Sequence, residues 1–245
     1  MTLYRAGDSP VHRLPPEVKI VAAILLTVAM VVTPREAFAA FGVYAGLIAV
    51  VAAVSATPAG WLLRRSTIEL PFVIFAAVLP FTGEATHTVV AGLALSVDGL
   101  YAGWNIVVKG TLGVLVSLLL AATTAPRDLI AGLERLRCPQ IIVQIATFML
   151  RYLAVLVEEQ RRMRVARLSR GYDPRFLWQV RALASGIGAL FLRAYERGER
   201  VYVAMLSRGY SGRLPATGRP RASAAQWLVG LLIPAAATGV TLWSL

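Results

Sequence analysis

Cysteine and histidine are nearly absent from this chain of 245 residues. Cys138 is the only cysteine, which excludes a disulfide within the chain and a cysteine-based metal cluster. The chain has only two histidines, His12 and His87, and they lie far apart in the sequence, which makes a histidine-based metal site unfavourable. The sequence therefore predicts no metal ligands in this chain.

Motifs for catalysis are also lacking. The chain has no Gly-x-x-x-x-Gly-Lys-Ser/Thr sequence, so it cannot hold the phosphates of ATP in a P-loop. It has no paired acidic clusters of the kind with which membrane prenyltransferases bind Mg²⁺. It also has no histidine placed near a candidate serine nucleophile. We therefore expect a chain that is not an enzyme and that binds no cofactor of its own.

Acidic residues are scarce as well, because 13 Asp and Glu oppose 25 Lys and Arg in a chain that is 57% hydrophobic. The positive charge is concentrated in residues 124–221, which contain 18 arginines and 7 acidic residues. No nucleic-acid recognition module accompanies these arginines, so nucleic acid is not the predicted partner. Arginines that border apolar segments instead mark the cytoplasmic side of a membrane.

Five apolar segments approach the length of about 20 residues that a helix needs to cross a bilayer. A polar stretch precedes the first of them, so no cleaved signal sequence is expected. Pro71 and Pro80 shorten and bend the third segment. The sequence thus predicts an all-α membrane protein with about five transmembrane helices. The predicted spans are Val18–Thr33, Ala37–Ala56, Ser66–Phe81, Gly99–Thr123 and Gln226–Trp243.

Basic residues between the spans predict how the chain is oriented. Arg5, Arg13 and Lys19 precede the first span, and Arg64 and Arg65 lie between the second and the third. The arginine-rich segment follows the fourth span. With five crossings all three regions lie on one side, which predicts a cytoplasmic N-terminus and an external C-terminus.

Two further apolar runs, 139–157 and 182–192, lie inside the arginine-rich segment. The first is long enough to cross but contains Gln144 and Arg151, and the second is too short. We favour a cytoplasmic helical domain between the fourth and last spans, and the paired insertion of both runs into the membrane stays open as an alternative. The predicted domains are 1–125, 126–213 and 214–245.

An eight-residue sequence occurs twice. Residues 165–172 read Val-Ala-Arg-Leu-Ser-Arg-Gly-Tyr and residues 203–210 read Val-Ala-Met-Leu-Ser-Arg-Gly-Tyr, so only Arg167 and Met205 differ. Upstream of each copy, a glutamate is followed four residues later by an arginine, which is a favourable spacing on a helix face. These pairs are Glu158 with Arg162 and Glu196 with Arg200.

Each copy predicts a helix that ends at Ser-Arg-Gly. Glycine suits the left-handed residue that follows a helix, and arginine suits the negative end of the helix dipole. Helix termination alone does not explain why the same residues occur twice. Arginine presents a planar fork of donors that fits a carboxylate or several carbonyls. Two such helix ends therefore indicate a partner with two equivalent grooves, such as a dimer or pseudo-dimer.

Lys109 is the one charge deep inside a predicted span. A charge there costs at least about 2.5 kcal/mol, so the side chain is expected to face protein or water. A substrate or coupling site is one interpretation. We favour the other, in which Lys109 snorkels or packs against a polar neighbour such as Asn105, four residues earlier on the same helix face.

These features together resemble the transmembrane T component of energy-coupling factor (ECF) transporters and, more narrowly, the cobalt-uptake Q subunit family, CbiQ. The resemblance covers nearly the whole chain. In this family the residue before Arg-Gly is commonly Ala, whereas both copies here have Ser. The matching stretches are Leu14–Lys19, Met149–Tyr152, Glu159–Arg164, Glu196–Val201 and Ala204–Gly212.

The resemblance implies a non-catalytic coupling subunit of an ATP-driven importer, multi-pass in a prokaryotic cell membrane. It would lie between two ABC ATPase subunits, which bind the ATP, and a small membrane subunit that captures the substrate; the lipid bilayer is its other partner. Each ATPase would receive one helix end. The residues implied for this coupling are Ser169, Arg170, Gly171, Ser207, Arg208 and Gly209, supported by Glu158, Arg162, Glu196 and Arg200.

The implied substrate is cobalt ion, and nickel, biotin or another vitamin are the alternatives within the same class. The alternative of another class is a self-contained secondary transporter. That reading needs polar residues that converge near the bilayer midplane and inverted repeats. The repeat of this chain instead runs in one direction and lies outside the predicted bilayer.

Overall fold

The computed structural model describes residues 3–82, 87–90, 93–171, 180–212 and 222–244. These residues form ten α-helices, a short 3-10 turn at Thr67–Glu69 and one two-stranded hairpin. The helices are α1 Pro10–Arg13, α2 Pro16–Val32, α3 Phe38–Val54, α4 Ala59–Ser66, α5 Leu70–Thr82, α6 Val97–Thr123, α7 Pro126–Arg135, α8 Gln140–Leu168, α9 Val180–Leu206 and α10 Ala224–Ser244; the strands are β1 His87–Val90 and β2 Leu93–Ser96.

The chain divides into two units. The first consists of Met1–Leu136 and Pro220–Leu245, and the second is the inserted segment Arg137–Arg219. All helices except α8 and α9 belong to the first unit. Helix α7, which the sequence analysis assigned to the cytoplasmic domain 126–213, is thus part of the first unit. The cytoplasmic location of 126–213 stays a prediction.

The core of the first unit is formed by α2, α3, α6 and α10. Tyr44 of α3 is fully buried there, and its hydroxyl forms hydrogen bonds of 2.8 Å with the hydroxyls of Thr33 and Thr241. This buried polar group is therefore satisfied, and it joins the end of α2 to α10. The apolar residues of the same cluster include Leu26, Met30, Phe41, Ile48, Leu112, Val116 and Ala237.

Two lysines bind the C-terminal carbonyls of each other's helices. Lys19, near the start of α2, donates to the carbonyl of Thr123 at the end of α6, at 2.9 Å. Lys109 of α6 donates to the carbonyls of Val31 and Thr33 at the end of α2, each at 2.8 Å. The positive charges thus lie at the negative ends of helix dipoles, and they bind carbonyls that lack a partner within the helix.

The structure corrects the expected partner of Lys109. Asn105 is not its hydrogen-bond partner, and the Oδ1 atom of Asn105 is buried without a partner in the described part of the chain. Lys109 bonds instead to the end of α2, and its ammonium lies 5.9 Å from the centre of the Phe41 ring. These contacts favour the structural interpretation of Lys109 over a substrate site.

Helices α5 and α6 pack closely because two glycines face α5. An added Cβ at Gly99 would lie 2.6 Å from the carbonyl oxygen of Leu79, and one at Gly103 would lie 2.7 Å from that of Ala76. Neither position has room for a side chain. The four-residue spacing of these glycines is the small-residue pattern with which membrane helices bring their backbones together.

One local prediction is corrected in this region, and one element is not predicted by the sequence. The third predicted span, Ser66–Phe81, is not one helix: α4 ends at Ser66, a 3-10 turn follows, and α5 is only 13 residues long. The segment between the third and fourth spans contains an antiparallel hairpin, with His87 paired to Ser96 and Val90 to Leu93. The sequence analysis assigned no strand there.

Three of the helices in the described ranges are long and apolar enough to cross a membrane, namely α6, α8 and α10. Helix α3 is apolar but has 17 residues, and α2 has the same length. The prediction of an all-α membrane protein is confirmed. Helix α8 contains most of the run 139–157, so length and composition also permit the alternative in which that run crosses.

The second unit contains α8 and α9, which run antiparallel. Arg193 of α9 pairs with Glu159 of α8. Nearer the end of α8, Gly186 faces Arg167, whose Nη1 atom would lie 3.6 Å from an added Cβ. Residue numbers therefore fall along α9 as they rise along α8, which is the antiparallel arrangement. Between the helices lies a groove of about 330 Å³, lined by Phe148, Tyr152, Leu156, Ala194, Arg197, Gly198, Val201 and Met205.

Candidate functional site

Both copies of the repeated sequence end a helix, as predicted. Gly171 has a φ of +74° and Gly209 a φ of +80°, the left-handed conformation that glycine adopts most easily. The amide of Gly209 donates to the carbonyl of Leu206 at 2.9 Å, and that of Tyr210 donates to the carbonyl of Met205 at 3.0 Å. These two bonds form a Schellman motif.

The first copy repeats the inner of these bonds, because the amide of Gly171 donates to the carbonyl of Leu168 at 2.9 Å. Tyr172, the residue that would make the outer bond, lies outside the described residues. The serines are satisfied locally in both copies. Ser169 donates to the carbonyl of Ala166 at 3.1 Å, and Ser207 donates to that of Val203 at 3.0 Å.

The two arginines are exposed at the helix ends. Arg170 and Arg208 each directly precede a left-handed glycine, and both residues are exposed. Within the described ranges, neither guanidinium forms an ion pair or a side-chain hydrogen bond. Each planar fork of donors is therefore free to bind an acceptor outside this chain.

The antiparallel arrangement puts the two arginines at opposite ends of the helix pair. Arg170 lies two residues after the last residue of α8, whereas the segment after Arg208 lies beside Gln144, near the start of α8. At 1.5 Å per residue, the 26 residues from Gln144 to Arg170 span about 39 Å. The two identical helix ends thus lie far apart, at opposite ends of the helix pair.

Gln144 contacts the second helix end, which the sequence analysis does not predict. Its Oε1 atom accepts a hydrogen bond of 2.9 Å from the hydroxyl of Tyr210, and its Nε2 atom donates one of 2.9 Å to the carbonyl of Gly212. The sequence analysis treated Gln144 only as a polar interruption of an apolar run. In the structure it holds the segment that follows the second Ser-Arg-Gly end.

The predicted supporting pairs differ between the copies. Arg162 donates to Glu158 at 3.4 Å, as the spacing predicts, and both side chains are largely exposed. The equivalent pair, Glu196 with Arg200, is not among the ion pairs that the described residues form. Its formation was predicted from spacing alone, and no neighbouring contact holds these side chains together. The helices are joined instead by the pair of Glu159 with Arg193.

Comparison with known proteins identifies the family. A family model described as the cobalt transport protein CbiQ matches residues 7–217. The chain belongs to the CbiQ cobalt transport protein family. The match includes both Ser-Arg-Gly ends and the whole of α2 through α9.

Individual relatives agree with this assignment. An energy-coupling factor transporter transmembrane protein EcfT of Bacillus selenitireducens is 32% identical, over 85% of this chain and 82% of the relative. The EcfT of Thermanaerovibrio acidaminovorans is 31% identical, over 91% and 86%. The cobalt transport protein CbiQ of Rhodobacter capsulatus is 29% identical, over 68% and 70%. The resemblance stated from the sequence is confirmed.

Proposed function

We propose that this chain is the T component of an ECF-type ABC importer. In this role it binds two ATPase subunits through its Ser-Arg-Gly ends and transmits their movement to a membrane subunit that captures the substrate. The chain itself is not catalytic, and ATP is bound by the ATPase subunits. The family membership supports the assignment to a transporter, and the geometry of the second unit supports a separate contact with each of two ATPase subunits.

The observation that carries the proposal is the separation of the two arginines. A single groove cannot receive two helix ends that lie about 39 Å apart along α8. Two equivalent grooves, one on each member of an ATPase pair, fit two identical ends. The exposed guanidinium of Arg170 or Arg208 would bind acceptors in each groove, and the left-handed glycine next to it lets the chain turn away from the contact.

The charges on α9 favour a cytoplasmic location for this unit. Because the helices are antiparallel, α9 residues 193–200 lie beside the apolar part of α8, where Arg197 and Gly198 line the same groove as Tyr152 and Leu156. Insertion of α8 would take the charges of that α9 segment into the bilayer with it. Each costs about 2.5–3.5 kcal/mol at the centre of a bilayer helix. These charges are Arg193, Glu196, Arg197, Glu199 and Arg200.

A cytoplasmic second unit also keeps the two Ser-Arg-Gly ends on the same side. If the helix pair crossed the membrane, ends about 39 Å apart would face opposite sides, since a bilayer with its headgroups is about 40–45 Å thick. We therefore propose that residues 126–213 form the cytoplasmic coupling domain of a multi-pass protein of the prokaryotic cell membrane. The N-terminus lies on the same side and the C-terminus outside, as the loop charges predict.

We propose cobalt ion as the substrate, on the strength of the family description and of the relative in Rhodobacter capsulatus. Within the described ranges, no three His, Cys, Asp or Glu side chains converge into a group able to hold a metal ion. On the family resemblance, we assign capture of the ion to a separate subunit. The relatives named EcfT align over a larger share of the chain than the CbiQ relative, which makes another substrate of the same importer class the second candidate.

Uptake into vesicles tests the proposal. The chain is reconstituted with its ATPase subunits and its substrate-capture subunit, and ATP-driven uptake of cobalt(II), nickel(II) and biotin is measured in parallel. We expect uptake of cobalt(II) that requires all the subunits, and no ATP hydrolysis by the purified chain alone. Uptake of nickel(II) or biotin instead of cobalt(II) would contradict the proposed substrate. Uptake by the chain without its partner subunits, or ATP hydrolysis by the chain alone, would contradict the proposed role as a non-catalytic coupling subunit.

A further inference from the structure

Glu17 is a buried carboxylate in the first turn of α2, with a side chain that is 4% exposed. The Nη1 atom of Arg135, at the end of α7, donates to both of its oxygens, at 2.8 and 3.1 Å. Oxygen Oε1 also accepts a hydrogen bond of 3.1 Å from the backbone amide of Ala222. The charge is thus paired and hydrogen-bonded, which a buried charge requires.

The two partners of Glu17 lie next to the two boundaries of the second unit in the chain. The second unit begins at Arg137, two residues after Arg135, and ends at Arg219, three residues before Ala222. Arg135 and Ala222 therefore lie at the two points where the chain leaves the first unit and returns to it. One carboxylate binds both of these connections.

The contact around Glu17 is tightly packed. An added Cβ at Gly132 of α7 would lie 2.9 Å from Cδ1 of Ile20 and 3.1 Å from the backbone nitrogen of Glu17. Lys19, in the same turn of α2, donates to the carbonyl of Thr123 at the end of α6. A displacement of α7 toward α2 would therefore press directly on the start of α2.

We propose that Glu17 is the positioning residue through which both connections of the second unit act on the membrane helices. This inference rests on the proposed function, because it concerns how movement of the ATPases reaches the membrane. Glu17 does not touch the ATPases or the substrate. It binds Arg135 and Ala222, next to the two boundaries of the second unit, to the start of α2, and movement of that unit is passed to α2 through these contacts.

The test is Glu17→Gln in the complete, reconstituted importer. Glutamine keeps an acceptor for the amide of Ala222 but loses the ion pair with Arg135. We expect normal co-purification of the ATPases and ATP hydrolysis within about twofold of wild type, since the Ser-Arg-Gly ends are unchanged. Cobalt(II) uptake per ATP hydrolysed should fall by about tenfold or more, because the ion pair between the end of α7 and the start of α2 is lost. Wild-type uptake per ATP would overturn the proposal, and so would an equal fall in uptake and hydrolysis.

A charge exchange separates positioning from stability. Glu17→Arg combined with Arg135→Glu restores an ion pair, but arginine cannot accept a hydrogen bond from the amide of Ala222. We expect this protein to remain poorly coupled, because the amide of Ala222 has lost its acceptor. Full recovery of uptake per ATP by the exchange would show that only the ion pair with Arg135 matters, and it would contradict a role for the bond to Ala222.

A matched control comes from the exposed pair Asp8 with Arg13, whose side chains are 86% and 70% exposed. Arg13→Gln removes an ion pair of similar length from the same unit and should change uptake per ATP by less than about twofold. Failure of this inference is distinct from failure of the proposed function. If ATPase binding does not depend on Arg170 and Arg208, the proposed function fails, whatever Glu17→Gln does. If it does depend on them and Glu17→Gln remains coupled, only this inference fails.

Discussion

The two Ser-Arg-Gly ends share their sequence, and the described residues continue past the glycine only at the second end. Gly171 and Gly209 have φ values of +74° and +80°, and each glycine amide donates to the carbonyl three residues earlier. The second end is also held from outside its own helix, because Gln144 binds Tyr210 and Gly212. The helix-ending hydrogen bond is thus common to both copies, and the opposing helix adds two side-chain contacts after the second end.

The one position at which the two copies differ has different neighbours in each copy. Met205 lines the groove between α8 and α9 with Phe148 and Tyr152. Arg167, its equivalent, lies near Gly186, and its Nη1 atom is buried without a hydrogen-bond partner in the described part of the chain. The difference shows that a sequence repeat need not be a structural repeat beyond its local hydrogen bonds.

The largest effect is expected from removing the arginines. Arg170→Ala and Arg208→Ala should each weaken the contact with one ATPase by about 2–5 kcal/mol, because buried acceptors of the partner lose their donor. Lysine should rescue poorly, since a point charge cannot replace the planar fork. Titration of the ATPase subunit against each variant measures the loss. Arg164→Ala, an exposed arginine of α8 outside the motif, is the control and should leave binding unchanged.

Similar losses at the two ends would support the equivalence of the two contacts. A loss of less than about 1 kcal/mol at either end would contradict the prediction there, because that is the effect of an arginine that only stabilises the helix dipole.

A smaller effect is expected from the glycines. Gly171→Ala and Gly209→Ala place a side chain at a left-handed residue, which costs about 1–2 kcal/mol. The cost should be equal at the two ends, because the φ values are nearly the same. Thermal unfolding and ATPase binding of each variant provide the measurement. Gly188→Ala is the control: it lies inside α9 with open space around it and should be neutral or stabilising.

The smallest effect is expected from Tyr210, one of the residues that hold only the second end. Tyr210→Phe should reduce ATPase binding at that end by about 0.5–1.5 kcal/mol, the net value of one hydrogen bond, and Gln144→Leu, which removes two hydrogen bonds, by up to about 3 kcal/mol. Binding at the first end should not change. A double-mutant cycle should show that the two losses are not additive. Additive losses, or an equal loss for the control Tyr202→Phe on the exposed surface of α9, would contradict a specific contact.

Local features of the fold could be predicted from the sequence because they depend on neighbouring residues. Gly171 and Gly209 end their helices as predicted, and Pro71 marks the start of a short helix after the turn at Thr67–Glu69. The all-α membrane class follows from the apolar segments. The helical ion pair of Glu158 with Arg162 follows from its spacing.

Features that depend on distant contacts could not be predicted. The roles of Gln144 and Lys109 are set by residues 66 and 78 positions away, at Tyr210 and Val31. Glu17 belongs to a family-like stretch and suits the first turn of a helix, but nothing in its local sequence indicates a bond to Ala222. The opposite placement of the two helix ends depends on the antiparallel packing of α8 and α9, which a repeat in one direction does not reveal.

The most direct test of the account is to count the ATPase subunits that each variant retains. Native mass spectrometry of the purified complexes gives this number for wild type, Arg170→Ala, Arg208→Ala and the double variant. We predict two ATPase subunits for wild type, one for each single variant and none for the double variant, which should remain folded in the membrane. Two ATPase subunits on the double variant would contradict the account and reduce both Ser-Arg-Gly sequences to helix ends.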